Sequence, residues 1–460
     1  MRLLPVALAF LSAPLLVAAP AGANGIRIVS TTGGPSFTTL QSAVDAAVDG
    51  DVILVGGGSY FGAVVIDDKS LWIVAPPVGE VAVTGLIAVR NLSAGKAVFV
   101  SGIGTTSNLG LDLQNNAGPV WLQFCTFRAS QGGPATACNG SNEVFPVARI
   151  TNSSEVALFG CSITGGEGGS AIAVLPPAIG GDGGTALSIV SSNVALHDTV
   201  LLGGKAGETE GCSSGPTAGD GCTVTGTGTA YLAGCTIRGG DGFDGLGTST
   251  CGGPGGRGLV IGAGTPVHLA TNTLLPSEGG HGFHPGMCNG PGGQGLVDNG
   301  AQLSIHAFQR PLFFGSTVHA GPLAYTVEVH GDPGDATSVV RASRPRWSFV
   351  PAADSVRLLP EIVPHAYPPA TIPPSGELLL DVGFAALPAG VGWRTAYAQG
   401  VVRDPIGGGW HFGNGLGVLE LAPGSGPDCD GNGVNDFVDV VFDPLADTNH
   451  NLVPDACPGG

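Results

Sequence analysis

Twelve residues near the end of the 460-residue chain have the spacing of a calcium-binding loop. The segment Asp428–Asp439 places oxygen-bearing side chains at loop positions 1, 3, 5, 9 and 12, with a glycine at position 6. Alternate side chains of such a loop face the ion, position 7 supplies a backbone carbonyl, and the glycine permits a sharp turn. The chemistry predicted is coordination of Ca²⁺ by Asp428, Asp430, Asn432, Val434, Asp436 and Asp439.

A second, degenerate copy of this loop follows directly. It offers Asp447, Asn449, Asn451 and Asp455 at matching positions, but it lacks the glycine and has Pro458 at position 12. The pair resembles thrombospondin type 3 and dockerin-like calcium repeats. An extracellular site of this kind is expected to bind calcium at about 0.1–1 mM and to stabilise the fold. The alternative is an acidic, asparagine-rich tail that stays solvated.

A weaker set of candidate catalytic residues lies in glycine-rich segments in the middle of the chain. The set comprises Asp182, Asp220, Asp241, Asp244, Arg238 and His281. If folding gathers these residues, acidic calcium ligands and a basic proton acceptor would suit a polysaccharide lyase. Gly-Asp-Gly also makes solvated turns, because Asp tolerates the backbone angles that turns need, and we favour that interpretation.

The elements that must position these residues follow from a ten-residue phrase that recurs five times. Its copies start at Trp121, Ala157, Ala195, Tyr231 and His268, which are 36, 38, 36 and 37 residues apart. A fixed period of this size is typical of one supersecondary unit stacked on copies of itself.

Each period predicts three short strands followed by a glycine-rich loop. In the third copy the strands are Ala186–Val190, Asn193–Thr199 and Val200–Leu202, rich in Val, Leu and Ile and bounded by turn residues. Three strands per coil predict a parallel solenoid with inward-facing apolar ladders. The loops should emerge side by side from one corner, at Gly165–Gly184, Gly203–Gly221, Gly239–Gly256 and Glu278–Gly293.

The start of the mature chain predicts a cap for this solenoid. Thr38–Val48 carries the stripe of an amphipathic helix at Leu40, Ala43, Val44, Ala47 and Val48. Thr38 and Gln41 have the spacing of a capping box, and Gly50 follows as a stop. A helix there would cover the open apolar end of the first coil.

The phrase FTTLQSAVDAAVDGDVILVGGGSY at Phe37–Tyr60 resembles the start of the right-handed parallel β-helix (pectate lyase-like) superfamily. The resemblance extends over roughly Asn24 to Phe314 and implies the fold rather than the chemistry. The superfamily includes pectin methylesterases, pectate lyases, polygalacturonases and many non-catalytic surface proteins.

The catalytic motifs of two of these enzyme groups do not match. The esterase pattern has Gly-x-Tyr-x-Glu, whereas Gly62 follows Phe61 here, and the Gln-Asp-Thr and Asp-Phe-x-Phe-Gly segments are missing. Gly280-His281-Gly282 matches the Gly-His-Gly of polygalacturonases, but their Asp-Asp, Asn-Thr-Asp and Arg-x-Lys segments are missing. We therefore leave enzymatic activity open and favour a non-catalytic protein.

Composition and the first residues indicate the compartment. Arg2, the apolar run Leu3–Val17 and the small residues Ala21–Ala23 predict a signal peptide over 1–23 and a secreted or extracellular-surface protein. No later stretch is long and apolar enough to span a membrane. A net charge of −18 with only 17 Lys and Arg argues against nucleic acid as a partner.

The ten cysteines of an exported chain favour disulfides over metal thiolates. We predict one disulfide between Cys429 and Cys457, at either end of the two calcium loops. Cys251 and Cys288 precede the similar runs GGPGGRGLV and NGPGGQGLV, and we predict a second disulfide between them rather than a metal site. Cys125 and Cys161 share one position in adjacent coils, where they would either bond or stack as buried thiols.

After the period ends, the composition changes and alternating segments predict a small antiparallel β-sandwich. These segments are Tyr325–His330, Glu377–Val382, Thr395–Arg403 and Val418–Leu421. The predicted fold is thus mainly β: a right-handed parallel β-helix with a capping helix, a β-sandwich and a short calcium-loop tail. The predicted layout is a signal peptide at 1–23, the β-helix at 24–312, the sandwich at 313–424 and the tail at 425–460.

Two hypotheses about function follow. The first is an exported, calcium-stabilised surface or matrix protein whose β-helix acts as a binding or display scaffold for polysaccharide. A variant of it makes the calcium repeats a docking module for a cell-surface scaffold. The second is a carbohydrate-active enzyme, a lyase or glycoside hydrolase, with its site among the glycine-rich loops. An enzyme should place at least two carboxylates and a basic residue in one groove.

Overall fold

The computed structural model describes most of the chain after residue 24. The described residues are 25–31, 37–76, 81–130, 146–170, 180–210, 216–246, 251–279, 281, 289–306, 312–315, 317–320, 325–353, 355–358, 370–382, 387, 391–403, 410–422, 428–431, 435–442, 446–449 and 453–457. The predicted signal peptide lies outside them.

Three parallel sheets run along the first two thirds of the molecule, and each coil contributes one strand to each sheet. The largest sheet has ten strands: Ile26–Val29, Asp51–Val55, Leu71–Val74, Val98–Ser101, Val120–Gln123, Val156–Phe159, Val194–His197, Ala230–Ala233, Pro266–Ala270 and Gln302–His306. The second sheet has eight: Val64–Asp67, Ile87–Arg90, Leu111–Gln114, Ala148–Thr151, Leu187–Val190, Cys222–Thr225, Leu259–Ile261 and Leu296–Asp298. The third also has eight: Gly58–Phe61, Val81–Thr84, Ile103–Thr106, Thr126–Arg128, Ser162–Thr164, Val200–Leu202, Thr236–Arg238 and Thr273–Leu275. The predicted parallel β-helix is confirmed.

The inward-facing residues of successive coils stack in register. Leu122, Leu158, Leu196 and Leu232 are direct partners along the largest sheet, and all four are fully buried. Ladders of this kind form one continuous apolar core from the first coil to the last. Burial of these side chains is the main source of stability in such a solenoid.

The recurring phrase encodes a corner between the largest and third sheets. Its fourth residue has a left-handed backbone in all five copies, with φ from 49° to 61° at Phe124, Gly160, Asp198, Gly234 and Thr271. In the first four copies the next residue is buried and donates its side-chain hydrogen to the carbonyl two residues earlier, as seen for Cys125, Cys161, Thr199 and Cys235. In the fifth copy Asn272 donates instead to the Leu232 carbonyl of the preceding coil. The phrase therefore specifies a strand, a left-handed turn residue, a buried donor and a short strand.

Cys125 and Cys161 are buried thiols that form no disulfide, as are Cys222 and Cys235. Stacking rather than a disulfide is thus the outcome for the first pair. Burial raises the pKa of Cys161 and of Cys222, which suppresses the reactive thiolate.

We expect these four thiols to resist alkylation in the native protein and to react fully in denaturant. Peptide mapping after iodoacetamide treatment measures this directly. A cysteine introduced at Phe61, whose side chain is 80% exposed, serves as the reactive control. Native labelling of Cys125 or Cys161 at the rate of that control would contradict the expectation.

The capping helix is present, but it is shorter than predicted. It spans Leu40–Ala46, and its N-cap is Thr39, not Thr38, since the Thr39 hydroxyl accepts the Ser42 N–H at 3.2 Å. Gln41 closes no capping box; its side chain instead bonds both the N–H and the carbonyl of Val65 in the second sheet. Val48, predicted on the apolar stripe, is exposed because the helix has already ended.

An antiparallel sheet region follows the β-helix, as predicted. One sheet comprises Leu312–Phe314, Tyr325–His330 and Glu377–Val382, and a hairpin pairs Ser348–Val350 with Ser355–Arg357 around the short 3-10 helix Pro351–Ala353. The larger sheet comprises Val318–Ala320, Trp410–Leu421, Trp393–Arg403, Ala336–Ala342 and Ala370–Thr371. Val318–Ala320 pairs in parallel with its neighbour, and the other pairs in these sheets are antiparallel.

The five-stranded sheet has two apolar faces, because successive residues of a strand point to opposite sides. Ala398 and Val402 join a core with the three-stranded sheet, whereas Tyr397 and Val401 pack on the β-helix. Tyr397 contacts Trp72 and Trp121, which project outward from the largest sheet. The two regions therefore share a large apolar interface.

Gln123 forms hydrogen bonds across this interface. Its side chain is fully buried, accepts the Gly417 N–H at 2.9 Å, and donates to the Gly417 carbonyl and the Thr317 hydroxyl. The outer face of the largest sheet is covered here, so a long polymer cannot lie along it.

Among the described residues, the helices are too short to cross a bilayer.

Candidate functional site

Glycine-rich segments leave the β-helix after the third sheet and return before the second. The outgoing segments are 165–169, 203–207, 239–243 and 277–279, and the returning segments are 180–184, 216–221, 251–257 and 289–294. We call these eight segments the glycine array. The connections at 171–179, 211–215, 247–250 and 282–288 lie outside the described residues.

Backbone hydrogen bonds in the array recur every third residue. Gly184 and Gly181 donate to the carbonyls of Gly166 and Gly169, and Gly204 and Gly207 donate back to Gly184 and Gly181, all at 2.8–2.9 Å. A three-residue repeat without intrasegment bonds is the period of an extended polyproline II backbone. The described parts of the loops predicted as solvated turns are therefore a laterally hydrogen-bonded array.

This array requires glycine because its backbones are in close contact. A Cβ atom on Gly204 would lie 1.9 Å from the Gly166 carbonyl oxygen, and one on Gly183 would lie 2.0 Å from that of Gly204. Neither residue has a positive φ, so the requirement is one of space. The same reason places glycine at every third position of collagen.

The candidate carboxylates connect successive coils of the array. Asp182 accepts the Thr217 N–H at 2.6 Å, Asp241 the Glu278 N–H at 2.9 Å, and Asp244 the His281 N–H at 2.8 Å. Each of these bonds spans 35 or 37 residues, which is one coil.

Asp220 has the most complete set of partners among these carboxylates. It accepts the Arg257 N–H and both Nε and Nη2 of that guanidinium, at 2.6–2.9 Å. The Asp220 carboxylate is nearly buried, and its ion pair raises the pKa of Arg257. This bidentate pair is a structural bond between coils.

The six predicted residues form separate groups. Arg238, the last residue of a third-sheet strand, pairs with Asp241 at 2.5 Å, and Lys205 pairs with Asp244, directly after the outgoing segment 239–243, at 3.3 Å. Burial raises the pKa of Asp244, but the His281 N–H and the Lys205 ammonium outweigh it and hold that pKa below its ordinary value. Asp182 and Asp220 lie on returning segments, and no side-chain hydrogen bond joins them to the outgoing group within the described residues.

A charged cluster that sequence reasoning missed lies on the outer face of the second sheet. Asp112 is fully buried and accepts hydrogen bonds from Arg90, Arg149 and Gln114, each at 2.9 Å. Burial raises the pKa of Asp112, but these donors lower it below its ordinary value. Extending the coil period upstream would have revealed the cluster, because residues 112 and 149 are register partners.

We expect Asp112→Asn to lower the free energy of unfolding by about 2 kcal/mol at pH 7. A carboxylate whose pKa is lower in the native protein than in the unfolded chain stabilises the fold at pH values above the unfolded pKa of about 3.9. This stabilisation is lost as the pH falls through the native pKa. The difference in unfolding free energy between wild type and variant should therefore shrink as the pH falls below about 3.9, as followed by urea unfolding. Asp45→Asn, on the exposed side of the capping helix, is the control; a pH-independent difference would contradict the assignment.

The tail places a buried carboxylate among two other acids. Asp436 is fully buried, its Oδ1 accepts the Cys429 N–H at 3.1 Å, and its Oδ2 has no hydrogen-bond partner among the described residues. Burial and the nearby Asp428 and Asp430 raise the pKa of Asp436. A buried carboxylate oxygen without a donor is costly unless a cation neutralises it.

The donor set fits a hard cation. The predicted disulfide Cys429–Cys457 is present, so these two sulfurs, although close to Asp436, are not thiolate ligands. Oxygen ligands remain, as calcium prefers. Asn432 and Val434 lie outside the described residues, and Asp439 lies in the first turn of the helix Asp436–Phe442.

The second loop has the same backbone-to-carboxylate hydrogen bond as the first, but its carboxylate at position 9 is exposed. Thr448 N–H donates to the Asp455 carboxylate at 3.1 Å, just as Cys429 N–H donates to Asp436; both bonds join loop positions 2 and 9. Asp455, however, also accepts the Thr448 hydroxyl and is exposed, while Asp447 is buried. Asn451 lies outside the described residues.

The pairing of Cys251 with Cys288 stays a prediction. Cys251 is disulfide-bonded, and Cys288 lies outside the described residues. The bond of Cys251 tethers a returning segment of the glycine array.

Comparison with known proteins identifies no family. No family model and no curated protein matches the chain. Among solved structures, a pectin methylesterase mutant bound to a hexasaccharide is 16% identical over 56% of this chain and 71% of its own, with a TM-score of 0.29. The enzymatically active domain of tailspike protein 2 from bacteriophage CBA120 is 10% identical over 86% of this chain and 76% of its own, with a TM-score of 0.29. A Geobacillus virus E2 protein is 11% identical over 82% and 72%, with a TM-score of 0.18.

Proposed function

We propose that the protein is an exported, calcium-stabilised surface or matrix protein whose β-helix acts as a scaffold for binding and display. The observation that carries this proposal is the glycine array. Eight backbone segments lead into and out of four connections of different sequence, and lateral backbone hydrogen bonds join these segments. A rigid platform with variable tips is how many folds present binding residues.

Polysaccharide is the ligand class that we propose for this scaffold. The covered face of the largest sheet directs such a ligand to the array and to the other two sheets. Aspartates of the array are bonded to neighbouring coils, which supports a structural role for them.

Calcium is the proposed resident ion of the first tail loop. Asp428, Asp430, Asp436 and Asp439 would hold it, and its charge would neutralise the buried Asp436 carboxylate. Secretion is part of this proposal, and N-terminal sequencing of protein from the culture medium tests whether processing occurs after residue 23.

A carbohydrate-active enzyme is the second candidate. The observation that favours it is the group formed by Asp244, Lys205 and His281, in which a carboxylate lies beside two basic residues. Such a group would serve acid–base catalysis if a polysaccharide lay across the outgoing segments.

One experiment separates the two candidates. Neutral, uronate-containing and sulfated polysaccharides are tested for binding by affinity electrophoresis and for cleavage by release of reducing ends and of unsaturated products. The variants are Asp244→Asn and a replacement of 171–179 by a glycine-serine sequence of equal length. Binding lost only with the replaced connection supports the scaffold; product formation by wild type that Asp244→Asn abolishes overturns it in favour of the enzyme.

A further inference from the structure

Three potential metal ligands converge on the outer face of the three-stranded sheet. Glu328 and His330 are two residues apart on Tyr325–His330, so both side chains lie on the same face of that strand. Tyr325, Val327 and Val329 point the other way, into the core. The three ligand residues therefore face solvent from a rigid element.

The third residue comes from the neighbouring strand. Glu377 is the direct antiparallel partner of His330. Ligand atoms of Glu328, His330 and Glu377 all lie within 4.8 Å of one another. His330 Nε2 is 2.6 Å from the Glu328 carboxylate, and His330 Nδ1 is 3.9 Å from that of Glu377.

The sheet and one aromatic ring position the imidazole. Phe314, on the other neighbouring strand, meets His330 edge to face, with ring centroids 5.4 Å apart. All three strands are joined by regular antiparallel pairing, so the spacing of the three residues is fixed by register rather than by a loop. Sites built on strands hold ligand geometry better than sites on loops.

We propose that Glu328, His330 and Glu377 form a binding site for a divalent transition-metal ion such as Zn²⁺. Two carboxylates and a neutral imidazole carry a charge of −2, which one such ion neutralises. The imidazole selects this class over calcium and magnesium, which prefer all-oxygen sites.

The geometry needs only small side-chain movements. Two ligand atoms on one tetrahedral zinc ion are about 3.4 Å apart, so atoms already within 4.8 Å reach it by rotation of the glutamate side chains. The side chains are 32% to 62% exposed, which leaves the remaining coordination positions open to water or to an external ligand. Three protein ligands with an open position is the arrangement of reactive rather than closed zinc sites.

The test is a titration of the full, tag-free chain with Co²⁺ and Zn²⁺. Calcium is kept in excess, so that the acidic tail does not contribute. Wild type should bind one equivalent, with the visible absorption of protein-bound Co²⁺, which Zn²⁺ displaces. His330→Gln and Glu377→Gln should each weaken binding by at least about tenfold.

Asp381→Asn is the matched control. Asp381 lies on the same strand and face as Glu377, but its carboxylate accepts the Thr326 hydroxyl at 2.8 Å. The variant removes the same charge and should bind metal like wild type. Absence of a Co²⁺ spectrum in wild type, or equal affinity in His330→Gln, would overturn the proposal; an unchanged thermal unfolding midpoint shows that each variant is folded.

Discussion

Gly204→Ala is expected to lower the free energy of unfolding by about 3 kcal/mol, an unusually large effect for one added methyl group. The new Cβ would lie 1.9 Å from the Gly166 carbonyl oxygen and 2.6 Å from its carbon. Both contacts are to backbone of a neighbouring segment that is itself hydrogen-bonded to Gly184, so no flexible side chain can move aside. Urea unfolding followed by circular dichroism measures the loss.

Gly95→Ala is the matched control, because a Cβ there meets no atom within 4 Å. We expect it to be neutral or to stabilise by up to about 0.5 kcal/mol, since alanine restricts the unfolded chain. Equal effects of the two substitutions would show that the array is not close-packed. That result would also weaken the scaffold proposal, because the proposal depends on a rigid array.

The period and its strands were accessible to sequence reasoning because they follow simple rules. The observed strands of the third copy are Leu187–Val190, Val194–His197 and Val200–Leu202. The third strand has the predicted bounds, and the ends of the other two differ from the prediction by at most two residues. Inward Leu and Val residues repeat in register, and several corners use an ordinary turn residue in the left-handed region, as at Asn115, Asn152 and Ser191.

The glycine array was not predicted, for a physical reason. Clusters of glycine are typical of turns, and a three-residue period matches neither the strand nor the helix pattern. The spacing of Gly204 and Gly207, or of Gly181 and Gly184, is visible in the sequence, but lateral bonding depends on the stacking of loops that only the coil provides.

Long-range contacts could not be predicted from the sequence either. Gln123 and Gly417 are 294 residues apart, and nothing local in either segment specifies the other. The outward aromatic residues Trp72, Phe99 and Trp121 were the available signal that the largest sheet is covered. In the tail, by contrast, spacing alone singled out Asp436, because the twelve loop positions are contiguous in sequence; calcium binding by this loop stays a prediction.

Calcium is expected to stabilise the protein by about 1.4 to 2.7 kcal/mol at 10 mM, given an affinity of about 0.1–1 mM. The gain should be seen as a higher thermal unfolding midpoint in calcium than in EDTA. The helix Asp436–Phe442, which begins within the loop, places Phe437 and Val440 in the apolar cluster shared by the β-helix and the second region. Ordering the loop therefore holds this helix at the interface, and hydrogen exchange of Val318–Ala320 should slow with calcium.

Asp436→Asn should reverse the sign of its own effect between these two conditions. In EDTA the substitution removes a buried negative charge that lies beside Asp428 and Asp430, so the variant should be as stable as wild type or more stable. In calcium it removes a ligand, so the variant should be less stable by most of the calcium gain. Asp45→Asn removes one exposed charge elsewhere and should leave the calcium response intact.

These outcomes also separate stabilisation from docking to a cell-surface scaffold. If calcium acts only on the fold, Asp436→Asn loses the stability gain, and binding to cells is lost only where the protein unfolds. If the tail is a docking module, chelation abolishes cell binding while circular dichroism shows the β-helix intact. An Asp436→Asn variant that keeps the full calcium response would contradict the assignment of the first loop, because the ion would then be held by other residues.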